Sequence, residues 1–218
     1  SGSVVKFENG EDTTAVLSGF TITNGSGSLG TGNNRYGGGI FCGNGDFNST
    51  AQLGSSPTLT NLIIVSNTVN GSGGGLCCYL NSSPIVRNVT IRNNTSNWQG
   101  GGIYCYYNSN PTISNVSIIS NTVSGDGGGV SIDSSSPIIE NSVISSNSSN
   151  YGGGMMYSGG AEPTLINVTI TGNTASTTAG GIYCYSSSNP ILINCILWDN
   201  SPDEIVLESG SPTVTYCN

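Results

Sequence analysis

Proline returns along this chain at an almost fixed interval. Pro57, Pro84, Pro111, Pro137, Pro163 and Pro190 are spaced 26 or 27 residues apart. Four residues after each stands an asparagine: Asn61, Asn88, Asn115, Asn141, Asn167 and Asn194. Ten residues after each stands another: Asn67, Asn94, Asn121, Asn147, Asn173 and Asn200. Glycine triplets occupy residues 37–39, 73–75, 100–102, 127–129 and 152–154, and Ala179-Gly180-Gly181 holds the same place once more. A repeat of this length is one supersecondary unit that buries its apolar face only by stacking on copies of itself.

Each unit reads as three short strands. In the unit that begins at Pro84, the first is Ile85-Val86-Arg87 and the second Val89-Thr90-Ile91-Arg92. A polar turn follows, and the third is Gly102-Ile103-Tyr104-Cys105-Tyr106. Apolar residues alternate with others, the period of a strand, and no run has helical spacing. Three strands per unit and no helix wind into a parallel β-helix, an all-β solenoid, expected to be right-handed. Residues 1–218 are read as one such domain. Coils stack ~4.8 Å apart, so residues one repeat apart become vertical neighbours. Leu62, Val89, Val116, Val168 and Cys195 are expected in one interior column. Ile64, Ile91, Ile118, Ile144, Ile170 and Leu197 form a second, and Leu76, Ile103, Val130, Met155 and Ile182 a third. The first asparagine column sits at a sharp bend, where Asn tolerates the left-handed conformation and its stacked amides can bond along the stack. Proline stands at a strand entrance, where no backbone donor is needed. The glycines permit a bend and close approach before the third strand. Nearer the start, residues 4–7 and 15–24 fit the scheme loosely, and residues 25–36 and 43–56 form long turns of the kind that often flank a binding face.

Charge removes several classes of function. Four Lys and Arg stand against twelve Asp and Glu, for a net charge of −8. No basic face can form to bind nucleic acid, and a polyanionic sugar would be repelled unless a cation intervened. No apolar stretch is long enough to span a bilayer, so membrane insertion of this segment is not expected. The chain has no histidine, which removes His-based general acid–base catalysis, Ser-His-Asp triads and His-ligated metals. The opening Ser1-Gly2-Ser3 reads as a cloning remnant, with a native start removed.

The segments Asn110-Pro111-Thr112-Ile113-Ser114-Asn115 and Gly101-Gly102-Ile103-Tyr104-Cys105 resemble the parallel β-helix repeat superfamily, which includes pectate lyases and polygalacturonases. The closer likeness is to bacterial surface-protein repeats. The pairing of a Gly-Gly-x-Ile element with an x-x-x-Asn element is similar to polymorphic outer-membrane adhesins. The tail from Asn194 through Cys195, Trp198 and Pro202 to Ile205 looks like the closing segment of such arrays. The resemblance covers nearly the whole chain. It implies a secreted or cell-surface location, in a bacterial or archaeal envelope, and a chain that is part of a longer protein. It says little about activity, because one fold hosts many functions.

The repeat places Cys42, Cys78, Cys105 and Cys184 in one inward column and Cys195 with Cys217 in another. Free buried thiols and disulfides between stacked coils are both open readings. A zinc site is not expected, since a straight column cannot surround a metal tetrahedrally. Cys77 is expected to point outward without a role.

Candidate chemistry lies on the outer side of the third strand. Tyr79, Tyr104, Tyr106, Tyr183 and Tyr185 recur there with Asp133, and Trp98 and Tyr151 lie just upstream. Such rings can stack on sugar faces; they also suit one another as cross-strand neighbours. Asp126 and Asp133 come from one coil and are not expected to form a glycosidase pair at ~5–9 Å. Arg87, Arg92 and Glu140 sit on the other strands, so the carboxylate cluster and Arg base of a pectate-lyase mechanism do not assemble. Asp199, Asp203 and Glu204 are the densest acidic group and the one candidate for calcium; no other cofactor is implied. Two functions follow. One is a non-catalytic surface module that binds a polysaccharide or cell-surface glycan, or serves adhesion. The alternative is a polysaccharide lyase or glycoside hydrolase, and the reading leans away from an enzyme. Ice binding is disfavoured because Ile63, Arg92, Ile119 and Val143 interrupt any flat threonine array.

Overall fold

The computed structural model describes residues 2–30, 34–44 and 53–218, and among them the secondary structure is strands and turns with no helix. The strands stack into parallel sheets of eight, eight and seven, one strand per coil in each. The glycine sheet holds the strands that follow the glycine triplets, such as Ile103–Tyr106. The proline sheet holds those that follow the prolines, such as Ile85–Arg87. The third sheet holds those between the two asparagine columns, such as Thr90–Arg92. The polar turn is more ordered than its composition suggests. It contributes a five-stranded ribbon that includes Thr95–Ser96 and Thr122–Val123.

Register follows the repeat. Ile103 lies between Leu76 and Val130, and Ile91 between Ile64 and Ile118. The interior columns are buried throughout, with a further one from the proline sheet: Leu59, Val86, Ile113, Ile139, Leu165 and Leu192. Ser142 takes the place of valine in the corner column. Its hydroxyl donates to the Glu140 carbonyl at 2.7 Å and accepts the Val116 N–H at 3.1 Å, so the polar atom is satisfied. The early segments also join the stack. Val5–Phe7 pairs with Ile40–Cys42, Val16–Ser18 with Thr58–Thr60, and Thr21–Thr23 with Ile63–Val65. The first long turn carries a small antiparallel pair, Ser28–Leu29 with Arg35–Tyr36. Its residues 31–33 and residues 45–52 of the second long turn lie outside the described residues.

Each punctuating residue has a physical task. Each of the six repeating prolines accepts a ladder hydrogen bond without having to donate one; Thr112 N–H to Pro84 O is 3.1 Å and Ile138 N–H to Pro111 O is 3.2 Å. The first asparagine column is left-handed at every position, with φ between 48° and 56°. Its side chains are largely exposed, and amide bonds along it are intermittent, as between Asn167 and Asn141 at 2.9 Å and Asn194 and Asn167 at 2.7 Å.

The continuous amide ladder is the second asparagine column, which is buried. Asn121 shows the pattern. Its Nδ2 donates to Ile91 O and to Asn147 Oδ1, both at 3.0 Å. Its Oδ1 accepts from the Asn94 backbone N–H and from Asn94 Nδ2, again both at 3.0 Å. All four hydrogen-bonding sites of the amide are used, which is what allows it inside an apolar solenoid. The same contacts run from Asn67 to Asn200.

Candidate functional site

The outer side of the glycine sheet carries two aromatic groups rather than one continuous stripe. In the first, Phe41, Cys77 and Tyr104 are buried and Tyr36, Tyr79 and Tyr106 pack over them. Tyr79 and Tyr106 are stacked with centroids 5.0 Å apart and planes 25° from parallel. Tyr104 and Tyr106 are 5.9 Å apart. Burial and the neighbouring Asp133 push the Tyr104 hydroxyl far above the usual tyrosine range. This group is a small outer core. Cys77 faces outward from the coil as expected, yet it is 0% exposed and packs in this group because Phe41 and Tyr104 flank it on adjacent rungs.

The second group remains open. Asp126, Tyr151, Met156, Tyr183, Tyr185 and Glu208 line a cleft of about 320 Å³. Tyr151 and Tyr183 have centroids 5.5 Å apart, and Tyr183 and Tyr185 lie 6.5 Å apart with planes only 18° from parallel. Met156 forms a buried floor with Ala179 and Tyr183, while Tyr185 stands 43% exposed at the rim. The Tyr183 hydroxyl donates to Glu208 Oε2. Burial first, and then this bond to an ionised carboxylate, hold that phenol up at about 12.

Asp126 enters the cleft from the turn before the glycine sheet, where Gln99, Asp126 and Tyr151 are bridged as vertical neighbours. Its carboxyl is raised above the usual range by burial alone. A carboxyl whose folded pKa is raised binds its proton more tightly in the folded state, so stability falls as pH rises through the titration. Asp126→Asn is therefore expected to raise the melting temperature at pH 7. The gain should vanish at about pH 3, below the ordinary carboxylate value, where the native side chain is protonated in both states. Thermal unfolding of both proteins at the two pH values checks this.

The remaining residues of the predicted ligand set fall elsewhere. Trp98 is 53% exposed and does not line the cleft. Asp133 lies between Tyr106 and Ser158 in the sheet and accepts a hydrogen bond from the Ser134 hydroxyl at 2.8 Å. Of the eight residues named from sequence, the cleft gathers Tyr151, Tyr183 and Tyr185.

The three acidic residues near the end, Asp199, Asp203 and Glu204, occupy separate positions in the last coils. Among the described residues no group of three His, Cys, Asp or Glu side chains could hold a metal ion. Asp199 takes a left-handed turn position, φ 59°, one residue before Asn200. Glu204 closes the amide ladder: its carboxylate accepts the Asn200 backbone N–H at 3.2 Å and also the Asn200 Nδ2. It stands where the next asparagine would present its carbonyl. Asp203 is exposed and serves through its backbone carbonyl, which accepts the Gly181 N–H at 3.0 Å.

All seven cysteines are free. Cys42, Cys78 and Cys105 follow one another in register inside the coil. Burial raises the thiols of Cys42 and Cys77, and holds Cys184 up at about 12, so these sulfurs act as apolar packing rather than as thiolates.

Comparison with known families agrees with this architecture. Residues 88–106 match the Chlamydia polymorphic membrane protein repeat, which points to a surface-associated β-helix protein. Comparison with curated proteins and with solved structures finds no match. Residues 101–218, more than half of the chain, match the right handed beta helix region, and the chain belongs to that family.

Proposed function

We propose that this chain is a non-catalytic cell-surface module that binds glycan in the tyrosine-lined cleft of the glycine sheet. The observation that carries the reading is the pair Tyr183 and Tyr185, with ring planes 18° from parallel, the first in the floor beside Met156 and the second exposed at the rim, with carboxylates at the edge. Rings offer flat apolar surface to a sugar face, and carboxylates accept its hydroxyl protons. The cleft is at the small end of ligand sites, which run from ~300 to ~1,000 Å³, so it suits a short sugar segment. Sheet strands present Tyr151 and Tyr183, and Tyr185 directly follows a strand, so little backbone must be ordered on binding, which lowers its entropic cost. The match to a membrane-protein repeat supports a place at the outer membrane or cell surface.

Glycan-array binding tests the reading. Tyr185→Ala is expected to reduce affinity for the bound glycan at least tenfold, with the far-ultraviolet circular dichroism unchanged, because the side chain is at the rim. Pectate and alginate incubated with the protein and calcium should give no unsaturated product by absorbance. Steady product formation would replace the binding reading with a lyase. Binding that survives Tyr185→Ala intact would remove the cleft from the account.

A further inference from the structure

Resting on the glycan-binding reading of this cleft, we infer that the sugar it takes carries a protonated amine, as an amino sugar does, and that Asp126 and Glu208 select it. The two carboxylates come from different coils. Asp126 adjoins Tyr151 in the rung of the Val130–Asp133 strand, and Glu208 follows the Ile205–Leu207 strand, three rungs later in the glycine sheet. Three rungs of ~4.8 Å separate them by about 14 Å along the stack; Asp126 precedes its strand and Glu208 follows its own, so they are offset along the strands as well, with the tyrosines between. The result is an aromatic floor with an anion at each end.

Among the described residues no cation neutralises these anions. The chain has four cations, and none lines the cleft. Lys6 lies on the first strand of the glycine sheet, four strands from the rung of Asp126, and is paired with Glu8 at 2.8 Å. Arg35 lies in the antiparallel pair and donates to the Gly27 carbonyl. Arg87 is on the proline sheet and Arg92 on the third sheet. Among the described residues no side chain donates to the Asp126 carboxylate, whereas one oxygen of Glu208 is held by Tyr183. A half-buried carboxylate without a partner costs stability, and such arrangements concentrate where a ligand supplies the missing charge. Aromatic faces add attraction for a cation through the ring quadrupole. An anionic uronate meets two carboxylates and no cation, and is repelled.

Calorimetric titration of the full chain with three matched probes tests the assignment: a glucosamine tetrasaccharide, its N-acetylated counterpart and a galacturonate tetrasaccharide. It is run at about pH 6.5, below the range of an α-amino group. The glucosamine oligomer is expected to bind at least tenfold more tightly than the N-acetylated one, with no binding of the galacturonate. The preference should shrink as salt screens the charges. Asp126→Asn keeps the shape and relieves a buried charge, so it folds at least as well; it should reduce the preference about tenfold. Free choline, an ammonium without a sugar ring, is expected to bind far more weakly, and equal affinity would overturn the assignment to a sugar. Equal binding of the charged and acetylated oligomers, unchanged by Asp126→Asn, would overturn the charge selection while leaving glycan binding intact. Silence from all three probes, together with a blank glycan array, would overturn both.

Discussion

Asn121→Ala should destabilise the protein by about 4–6 kcal/mol, enough to consume most of the stability of an ordinary domain. The substitution removes four hydrogen bonds at once, two donated and two accepted. It leaves the Asn94 backbone N–H, one Asn94 side-chain proton and the Ile91 carbonyl without these partners in a site closed to water. Each unsatisfied buried group costs ~1–3 kcal/mol, and the costs are not strictly additive. Asn115→Gly is the matched control. Asn115 is exposed, and its φ of 55° is one that glycine adopts freely. That change should cost less than about 1 kcal/mol. Denaturant unfolding followed by circular dichroism compares the two. In a solenoid each coil leans on its neighbours, so the Asn121 variant should also lose cooperativity. Similar midpoints for the two variants would mean that the buried ladder contributes little.

The second large effect is expected at Gly102→Ala, which should cost about 3 kcal/mol. A Cβ there would sit 2.6 Å from the Gly129 carbonyl oxygen, 2.9 Å from Ile118 Cγ2 and 3.1 Å from Asn121 Nδ2. The first is backbone of the next coil and cannot retreat without opening the ladder. The third is the amide whose bonds have just been counted. A single methyl group therefore presses on two stabilising columns together. Gly160 isolates the conformational part of such a change: its φ is +71° and nothing lies within 4 Å of an added Cβ. Gly160→Ala should cost about 1–2 kcal/mol from backbone strain alone. Melting temperatures of the two variants give the comparison, and a Gly102 variant no less stable than the Gly160 one would contradict the close stacking described here.

Register was legible in the sequence because two residue types with narrow physical uses recur at one interval. Proline marks positions that need no donor, and asparagine marks positive φ, so the columns of Ile64, Ile91 and Ile118 could be aligned residue by residue. The two asparagine columns divide the work in a way that periodicity alone does not reveal. Both repeat identically; the outer bends the chain and the inner carries the ladder, a difference that appears only once burial is known. Strand alternation places Cys77 outward but does not tell exposed from covered, so its burial between Phe41 and Tyr104 is not legible in the sequence. Three of the cleft's six residues escaped a ligand role for separate reasons. Asp126 lies in a turn whose vertical pairing with Tyr151 has no strand signal. Met156 reads as one more member of an outer column. Glu208 belongs to a coil shortened to 22 residues, as the Ser187–Ser209 and Asn189–Ser211 contacts show. A repeat of 26 or 27 does not bring it beside Tyr185. Carboxylates close in sequence suggest a metal, whereas the use of the Glu204 carboxylate in place of an asparagine carbonyl becomes visible only with the stacking register.

The solenoid core and the cleft upon it depend on side chains one coil apart meeting in the interior, and the amide protons of the inner asparagines report this directly. In a nuclear Overhauser spectrum of the isotopically labelled protein, the side-chain NH₂ of Asn94 should show cross-peaks to that of Asn121, and Asn121 to Asn147. All of them should exchange slowly with solvent. Fast exchange, with no cross-peak linking these pairs, would contradict the stacked ladder and the cleft built upon it.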